Sequence, residues 1–369
     1  SPDGKSYFSL QNYILQEKVG SGAFGNVFKV KDKTTGIIYA AKISKEAIES
    51  EFTDLLLSLT REVNIISKLN HPTILKFIGF SGYNFKSKPK PVIITEFVSN
   101  GSLEDLILFE RNSHSNSKWN DTLKLIIIYG IAAAMSYLHS HDIIHRDLKP
   151  DNILMDQFYL PKIADFGLSK VNNSNSKSMS YKSTNGIKGT PLYMSPEIWE
   201  KAEYTKACDV YAFAFIVYEI ITNLKPFSNL NFFQIPLQVH QGYRPEFKFE
   251  IPKAYRNLIE KCWSQKTFNR PSFDEIIDEL KNNKGFITEK VNEEDYLNFI
   301  KYINDSKISF DSDKKISLNE YLNIKSSTFN SIDKEFKIIQ ELDSIPAIFS
   351  FNLFIWWITL IYFHIMNHP

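Results

Sequence analysis

A chain of 369 residues with 43% hydrophobic and 14% aromatic content can bury a large core, as one bilobal domain or two smaller ones, and this excludes disorder throughout. Net charge is +1, from 43 basic and 42 acidic residues, so the basic excess that marks a nucleic-acid binder is missing and no nucleic-acid partner is expected. Cys208 and Cys262 are the only cysteines and match no metal-ligand spacing, as expected of thiols that fill core space in a reducing compartment. The first residue is Ser1, and no basic stretch followed by an apolar run opens the chain, so no secretory signal is expected.

Residues 1–12 are polar and read as a lead-in to a domain spanning 13–283. Val19 leads into Gly20-Ser21-Gly22-Ala23-Phe24-Gly25, and Asn26 to Val30 and Gly36 to Ile43 follow as β-rich runs, an antiparallel opening. Leu55, Leu59, Val63 and Ile66 recur at helical spacing, predicting a helix over 55–69 that stops before His71-Pro72. Further strands end with Val92 to Phe97, and beyond Asn100-Gly101 the pattern turns helical, with long apolar helices predicted over 123–139 and 209–222. The fold class is therefore α+β, a β-rich lobe with one helix preceding a mainly helical lobe. Polar stretches at 111–118 and 172–188 read as surface loops.

After the domain, residues 284–344 are a polar stretch of no assigned role, and 345–366 contain no Asp, Glu, Lys or Arg. Those 22 or so residues are long enough to cross a hydrocarbon core of roughly 30 Å as a helix. Pro346, Asn352 and His364 interrupt the apolar run and no basic cluster flanks it, so a tail anchor facing the cytosol and an incidental apolar tail both stay open.

A turn such as Gly20-x-Gly22-x-x-Gly25 lets backbone N–H groups approach phosphate oxygens, because glycine carries no Cβ. Its glycines lie between strands and do not open a helix, which argues against a dinucleotide fold or a P-loop. Lys42, in Ala40-Ala41-Lys42, sits among apolar strand residues and needs a carboxylate and an anionic ligand to offset desolvation. Glu62, in the predicted helix, can supply the carboxylate and orient Lys42 toward the α- and β-phosphates of ATP. The strongest signal is His145-Arg146-Asp147-Leu148-Lys149-Pro150-Asp151-Asn152 followed by Ala164-Asp165-Phe166-Gly167. Asp147 is suited to accept a hydroxyl proton and Lys149 to neutralise charge on a transferred phosphoryl group. Asn152 and Asp165 offer hard oxygens suited to Mg²⁺.

With these motifs in order, the chain resembles the eukaryotic protein kinase superfamily over about 270 residues. The resemblance implies a small β lobe over a larger helical lobe, with ATP between them and protein hydroxyls as substrates. Thr190-Pro191-Leu192-Tyr193-Met194-Ser195-Pro196-Glu197 matches the end of the activation segment, Glu197 being expected to pair with Arg270. Asp209 matches the aspartate that braces the catalytic loop, and Ala214 stands where glycine is usual. Val19 through Val27, including Ser21, Ala23, Phe24 and Asn26, are implied nucleotide contacts, with Ala40 and Leu154 around adenine. Thr95 matches the gatekeeper, and Glu96 and Val98 are implied to offer backbone groups to adenine. Ile66, Phe77, His145 and Phe166 are implied to stack as an internal spine.

Lys149 and Gly189-Thr190 are similar to serine/threonine kinases, whereas Ile94 to Leu103 and Cys262-Trp263 look closer to tyrosine kinases. That mixture resembles the tyrosine-kinase-like group, so a serine/threonine kinase in intracellular signalling is expected, cytoplasmic or membrane-anchored. A pseudokinase scaffold and a tyrosine or dual-specificity kinase are the alternatives. Arg146 suggests a basic pocket for a phosphate on the activation segment, with Ser183 and Thr184 the favoured acceptors.

Overall fold

β-branched and aromatic residues between Tyr13 and Ser44 build three antiparallel strands, β1 (Tyr13–Ser21), β2 (Gly25–Asp32) and β3 (Ile38–Ser44), in a computed structural model of the chain. The structure describes residues 9–22, 25–45, 59, 62–112, 118–171, 181–182, 189–231, 233–312 and 314. The turn from β2 to β3 is set locally: Thr34 and Thr35 donate their N–H groups to Asp32 Oδ1 at 2.8 and 2.7 Å. Helix α1, of which residues 62–66 are described as a continuous run, is followed by β4 (Leu69–Asn70), β5 (Phe77–Ser81) and β6 (Val92–Glu96). The five-stranded sheet has the order β1-β2-β3-β6-β5. Its register sets Val27 opposite Lys42, Lys42 opposite Ile93, and Ala40 opposite Thr95, so the glycine turn, the lysine and the gatekeeper position share one patch of sheet.

Helix α2 (Leu103–Arg111) starts at a capping box in which Ser102 and Asp105 satisfy each other's backbone N–H groups. Helix α3 (Asp121–Ser140) begins at Asn120, whose side chain accepts from Leu123 N, and is buried along nearly its whole length. It is long and apolar enough to cross a membrane, but it is a core helix, largely buried inside the lobe. Strand β7 (Ile143–Ile144) pairs with β10 (Lys170–Val171), and between them the hairpin β8 (Ile153–Met155) to β9 (Pro161–Ile163) carries the loop residues around Asp147 and Asp165. Strand β11 (Tyr181–Lys182) pairs with β12 (Glu203–Tyr204), which follows α4 (Pro196–Lys201). Helix α5 (Lys206–Thr222) is apolar on every side and accordingly lies in the core, ending where Asn223 takes a left-handed φ of 57°. Helices α6 (Gln234–His240), α7 (Lys253–Cys262) and α8 (Phe273–Asn282) complete the lobe.

The polar stretch after 283 contains structure that its composition did not announce. Helix α9 (Glu293–Asp305), capped by Asn292, buries Tyr296, Phe299, Ile300 and Ile303. Burying side chains of this kind contributes about 1.5–3 kcal/mol each. Tyr296 and Phe299 meet Tyr129 of α3 edge-on, with ring centroids 5.8 and 6.2 Å apart. The approach needs Gly130: a Cβ there would sit 2.7 Å from Pro161 Cγ and 3.2 Å from Phe299 Cζ. Strand β13 (Ser309–Phe310) then pairs with β4. The apolar segment 345–366 lies outside the described residues.

Candidate active site

Lys42 extends from β3 between two carboxylates. Its Nζ is 2.7 Å from Glu62 Oε1 of α1 and 3.7 Å from Asp165 Oδ1. Burial works against the ammonium, but Glu62 and then Asp165 more than offset it, and the Lys42 pKa lies above its ordinary 10.5. Burial pulls Glu62 upward, but with an ammonium at 2.7 Å the ionised pair is the state that satisfies both groups. Asp165 is also raised by burial, yet Lys42, followed by His145, brings it below the usual carboxylate range. In the glycine turn, Gly25 is required by the fold, since a Cβ would fall 2.7 Å from Ile43 O. Gly22 N donates to Gly25 O at 2.9 Å, and Ser21 donates to Asn26 Oδ1. Ala23 and Phe24 lie outside the described residues.

The loop after β7 is held from below by Asp209. Its carboxylate accepts the backbone N–H of His145 and of Arg146, both at 2.9 Å, and lies 2.9 Å from His139 Nε2. Burial raises the Asp209 pKa, but the His139 bond and His139 and His145 bring it net downward. That brace holds Arg146 in a left-handed φ of 70°, and Asp165 is likewise left-handed at 62°, a conformation non-glycine residues adopt at a cost. Above it Lys149 Nζ donates to Thr190 Oγ1 at 2.9 Å, and Thr190 Oγ1 donates to Asp147 Oδ1 at 2.9 Å. Lys149 Nζ also stands 3.2 Å from Asp147 Oδ2. Asn152 Nδ2 donates to Asp147 O at 2.7 Å and to Asp147 Oδ2 at 3.0 Å, which turns its amide oxygen away from Asp147. Ala164 N donates to Asn152 O at 2.9 Å, which keeps the loop bearing Asp165 beside Asn152. An amide oxygen and a carboxylate oxygen are hard donors, and with phosphate oxygens they suit a divalent cation that keeps few protein ligands. Among the described residues no cluster of three or more His, Cys, Asp or Glu could hold a metal ion by itself.

At the nucleotide-base end, Thr95 is buried opposite Ala40, and its hydroxyl donates to Glu96 O at 3.2 Å. Glu96 N donates to Lys76 O, while its carboxylate accepts from Lys76 N and pairs with Lys162 at 3.2 Å. Its carbonyl is therefore the group it has to offer a base, whereas Val98 is half-buried just beyond. Val19 is exposed, and Val27, Ala40 and Leu154 are half-buried, Leu154 lying in β8 with a bridge to Ser102. His145 and Phe166 meet edge-on at 5.3 Å, and Ile66, Phe166 and the partly buried Phe77 share one core.

The end of the activation segment is fixed by a buried bidentate pair, Arg270 Nη1 to Glu197 Oε1 at 2.6 Å and Nη2 to Oε2 at 2.9 Å. Burial would raise Glu197, but Arg270 brings its pKa below the usual carboxylate range. Ser183 and Thr184 lie outside the described residues. One participant escaped the sequence reading: Glu219, fully buried in α5, accepts from Tyr193 OH at 2.6 Å and pairs with Arg111 at 3.3 Å. A carboxylate in the midst of the apolar second half of α5 was the signal that could have found it.

A sheet-borne lysine paired to a helix glutamate, and a braced loop joining an aspartate, a lysine and two oxygen donors, define a nucleotide-dependent phosphoryl-transfer domain of two lobes. Residues 13–280 match the protein kinase domain family, and the chain belongs to the eukaryotic protein kinase superfamily. It is similar to a Dictyostelium discoideum protein provisionally named a LIM domain-containing serine/threonine-protein kinase, 36% identical over 77% of this chain and 41% of that one. An Acanthamoeba polyphaga mimivirus protein provisionally named a serine/threonine-protein kinase/receptor is 32% identical over 71% of this chain and 15% of its own length. The Dictyostelium discoideum dual specificity protein kinase pyk3 is 31% identical over 86% of this chain and 21% of its own length. The chain thus spans less than half the length of each of these relatives.

Proposed function

We propose that the chain transfers the γ-phosphoryl group of Mg-ATP to serine and threonine hydroxyls of proteins, as a kinase of the tyrosine-kinase-like group. The observation that carries this reading is the continuous hydrogen-bonded strip from Thr190 through Asp147 and Asn152 to the residue before Asp165. In it Asp147 accepts the proton of the incoming hydroxyl, with Thr190 fixing the direction of its carboxylate. Lys149, at 3.2 Å from Asp147, neutralises charge developing on the transferred group. Lys42, held by Glu62, grips the α- and β-phosphates, and the glycine turn at 20–25 covers them. Asn152 and Asp165 would hold Mg²⁺, which when bound neutralises and aligns the phosphate oxygens.

Lys149 bound to Thr190 supports the serine/threonine reading, as do the names of two of the relatives. The presence of Lys42, Asp147 and Asp165 in one connected arrangement weighs against a pseudokinase scaffold. Dual specificity is the second reading, favoured by the name of one relative. The test is incorporation of radiolabel from γ-labelled ATP into a generic protein substrate, followed by phosphoamino-acid analysis. Phosphoserine and phosphothreonine are expected, Asp165→Asn should abolish transfer, and phosphotyrosine in the hydrolysate would establish the second reading. No magnesium-dependent label in any polypeptide would overturn both.

We propose as well that 345–366 anchors this domain at a membrane from the cytosolic side, on the strength of its uncharged length. Equal recovery in the soluble fraction for the full chain and for one ending at Asp343 would remove that idea.

A further inference from the structure

Residues 306–312 leave the end of α9 and cross to the loop that follows α1, the helix bearing Glu62. Ser309 and Phe310 pair with Asn70 and Leu69. Asn70 Nδ2 donates to Lys307 O at 2.9 Å and to Ser309 Oγ at 3.1 Å, and Asp311 N donates to Lys68 O at 3.1 Å. The hydroxyl of Tyr137, on α3, ties the junction to the large lobe. It donates to Ser309 O at 2.7 Å and accepts from Asn70 N at 3.1 Å.

Aromatic rings reinforce these bonds. His71, Tyr137, His141 and Phe310 follow one another at centroid spacings of 5.1, 4.7 and 4.2 Å. Burial, with Lys162 nearby, pushes the His71 pKa down to about 4, so a neutral imidazole stands at the head of this ladder. Lys314 Nζ lies 5.8 Å from the centre of the Phe77 ring, beside the residues that share a core with Ile66.

We propose that residues 306–312 form a strap that positions Glu62 against Lys42, acting through the joint between α1 and β4. Glu62 lies one helical turn before Ile66, and the strap binds residues 68 to 70, so displacement of the joint carries Glu62 with it. The Lys42–Glu62 bond itself spans two elements, and no covalent connection shorter than 19 intervening residues ties them. A two-residue strand pairing is too small to be an independent stabilising unit, but it adds contacts at the joint on which the placement of Glu62 depends. This inference rests on the kinase reading, with Phe310, Ser309, Asn70 and Tyr137 as positioning residues.

The test uses the full chain, with Phe310→Ala compared in the native and Glu62→Gln backgrounds. With Glu62 present, kcat should fall about tenfold, and amide hydrogen exchange over residues 62–66 should quicken by a similar factor. In the Glu62→Gln background the further loss should be less than about twofold, because the strap has nothing left to position. Should Phe310→Ala fail to fold, Asn70→Ala, which deletes only bonds from an exposed side chain, is put through the same comparison. Equal losses in the two backgrounds, or a well-folded variant with unchanged kcat and exchange, would overturn the strap. The exchange measurement needs no ATP, so absence of phosphoryl transfer in the native chain would sink the kinase reading and leave the strap to be decided separately.

Discussion

Two ion pairs in this molecule are built to opposite specifications. Arg270 and Glu197 are joined by two parallel bonds, the arginine side chain is fully buried, and its remaining donors reach Ser264 O and Ala207 O, with Tyr211 under the guanidinium at 4.9 Å. Lys42 and Glu62 share a single close contact, and the lysine side chain keeps 27% of its exposure. Four of the five guanidinium N–H groups of the first pair are spent inside the protein, whereas the second presents its ammonium toward a third group, Asp165. The contrast separates a joint that holds the fold from one that holds a ligand and can be moved.

Breaking the joint at Arg270 should give the largest effect. Arg270→Ala leaves Glu197 buried without its partner and should cost about 3–5 kcal/mol of stability, measured by denaturant unfolding. Lys42→Met, by contrast, should melt close to the native chain yet lose transfer by about a hundredfold, or roughly 2.7 kcal/mol of transition-state stabilisation. A large fall in melting temperature for Lys42→Met would erase the distinction. Thr190→Ala should sharpen the account of the Asp147 strip with a loss in kcat of about tenfold, roughly 1.4 kcal/mol, while Thr190→Ser retains most activity.

The smallest change at neutral pH, growing on acidification, concerns Glu197. Its folded-state pKa is depressed, so the stability it contributes is present above its unfolded pKa, near 4.5, and is lost as pH falls through the folded value. Without Arg270, burial alone acts on Glu197 and raises its pKa, so the stability gap between the native chain and Arg270→Ala should narrow as pH falls from that raised value toward the depressed one of the native chain, and a gap that stayed constant to pH 3 would place the energy elsewhere.

Much of this was legible in the chain. The antiparallel opening is written in β-branched and aromatic runs, and the predicted helices over 123–139 and 209–222 differ from α3 and α5 by a few residues at their N-terminal ends. There, Asn120 and Thr205 supply caps that lie outside the apolar repeat. The site residues carry chemistry that is costly to bury, so Lys42, Asp147, Asn152 and Asp165 stand out as residue types at fixed spacings. Glu219 was less visible, because its partner Tyr193 is 26 residues away and nothing local announces the bond. Helix α9 was not read at all: its buried face is only Tyr296, Phe299, Ile300 and Ile303 in a run of charged and amide residues.

The order of lobes, the identity of the reactive groups and the family they indicate could all be read from the linear chain, since short-range patterning and motif spacing are its own properties. Which groups meet depends on the folded packing: Thr190 between Lys149 and Asp147, Asp209 under the catalytic loop, Tyr137 between Asn70 and Ser309. Such contacts join residues tens to hundreds of positions apart. Their geometry is set by how helices and sheet pack around a shared core, which no local propensity encodes.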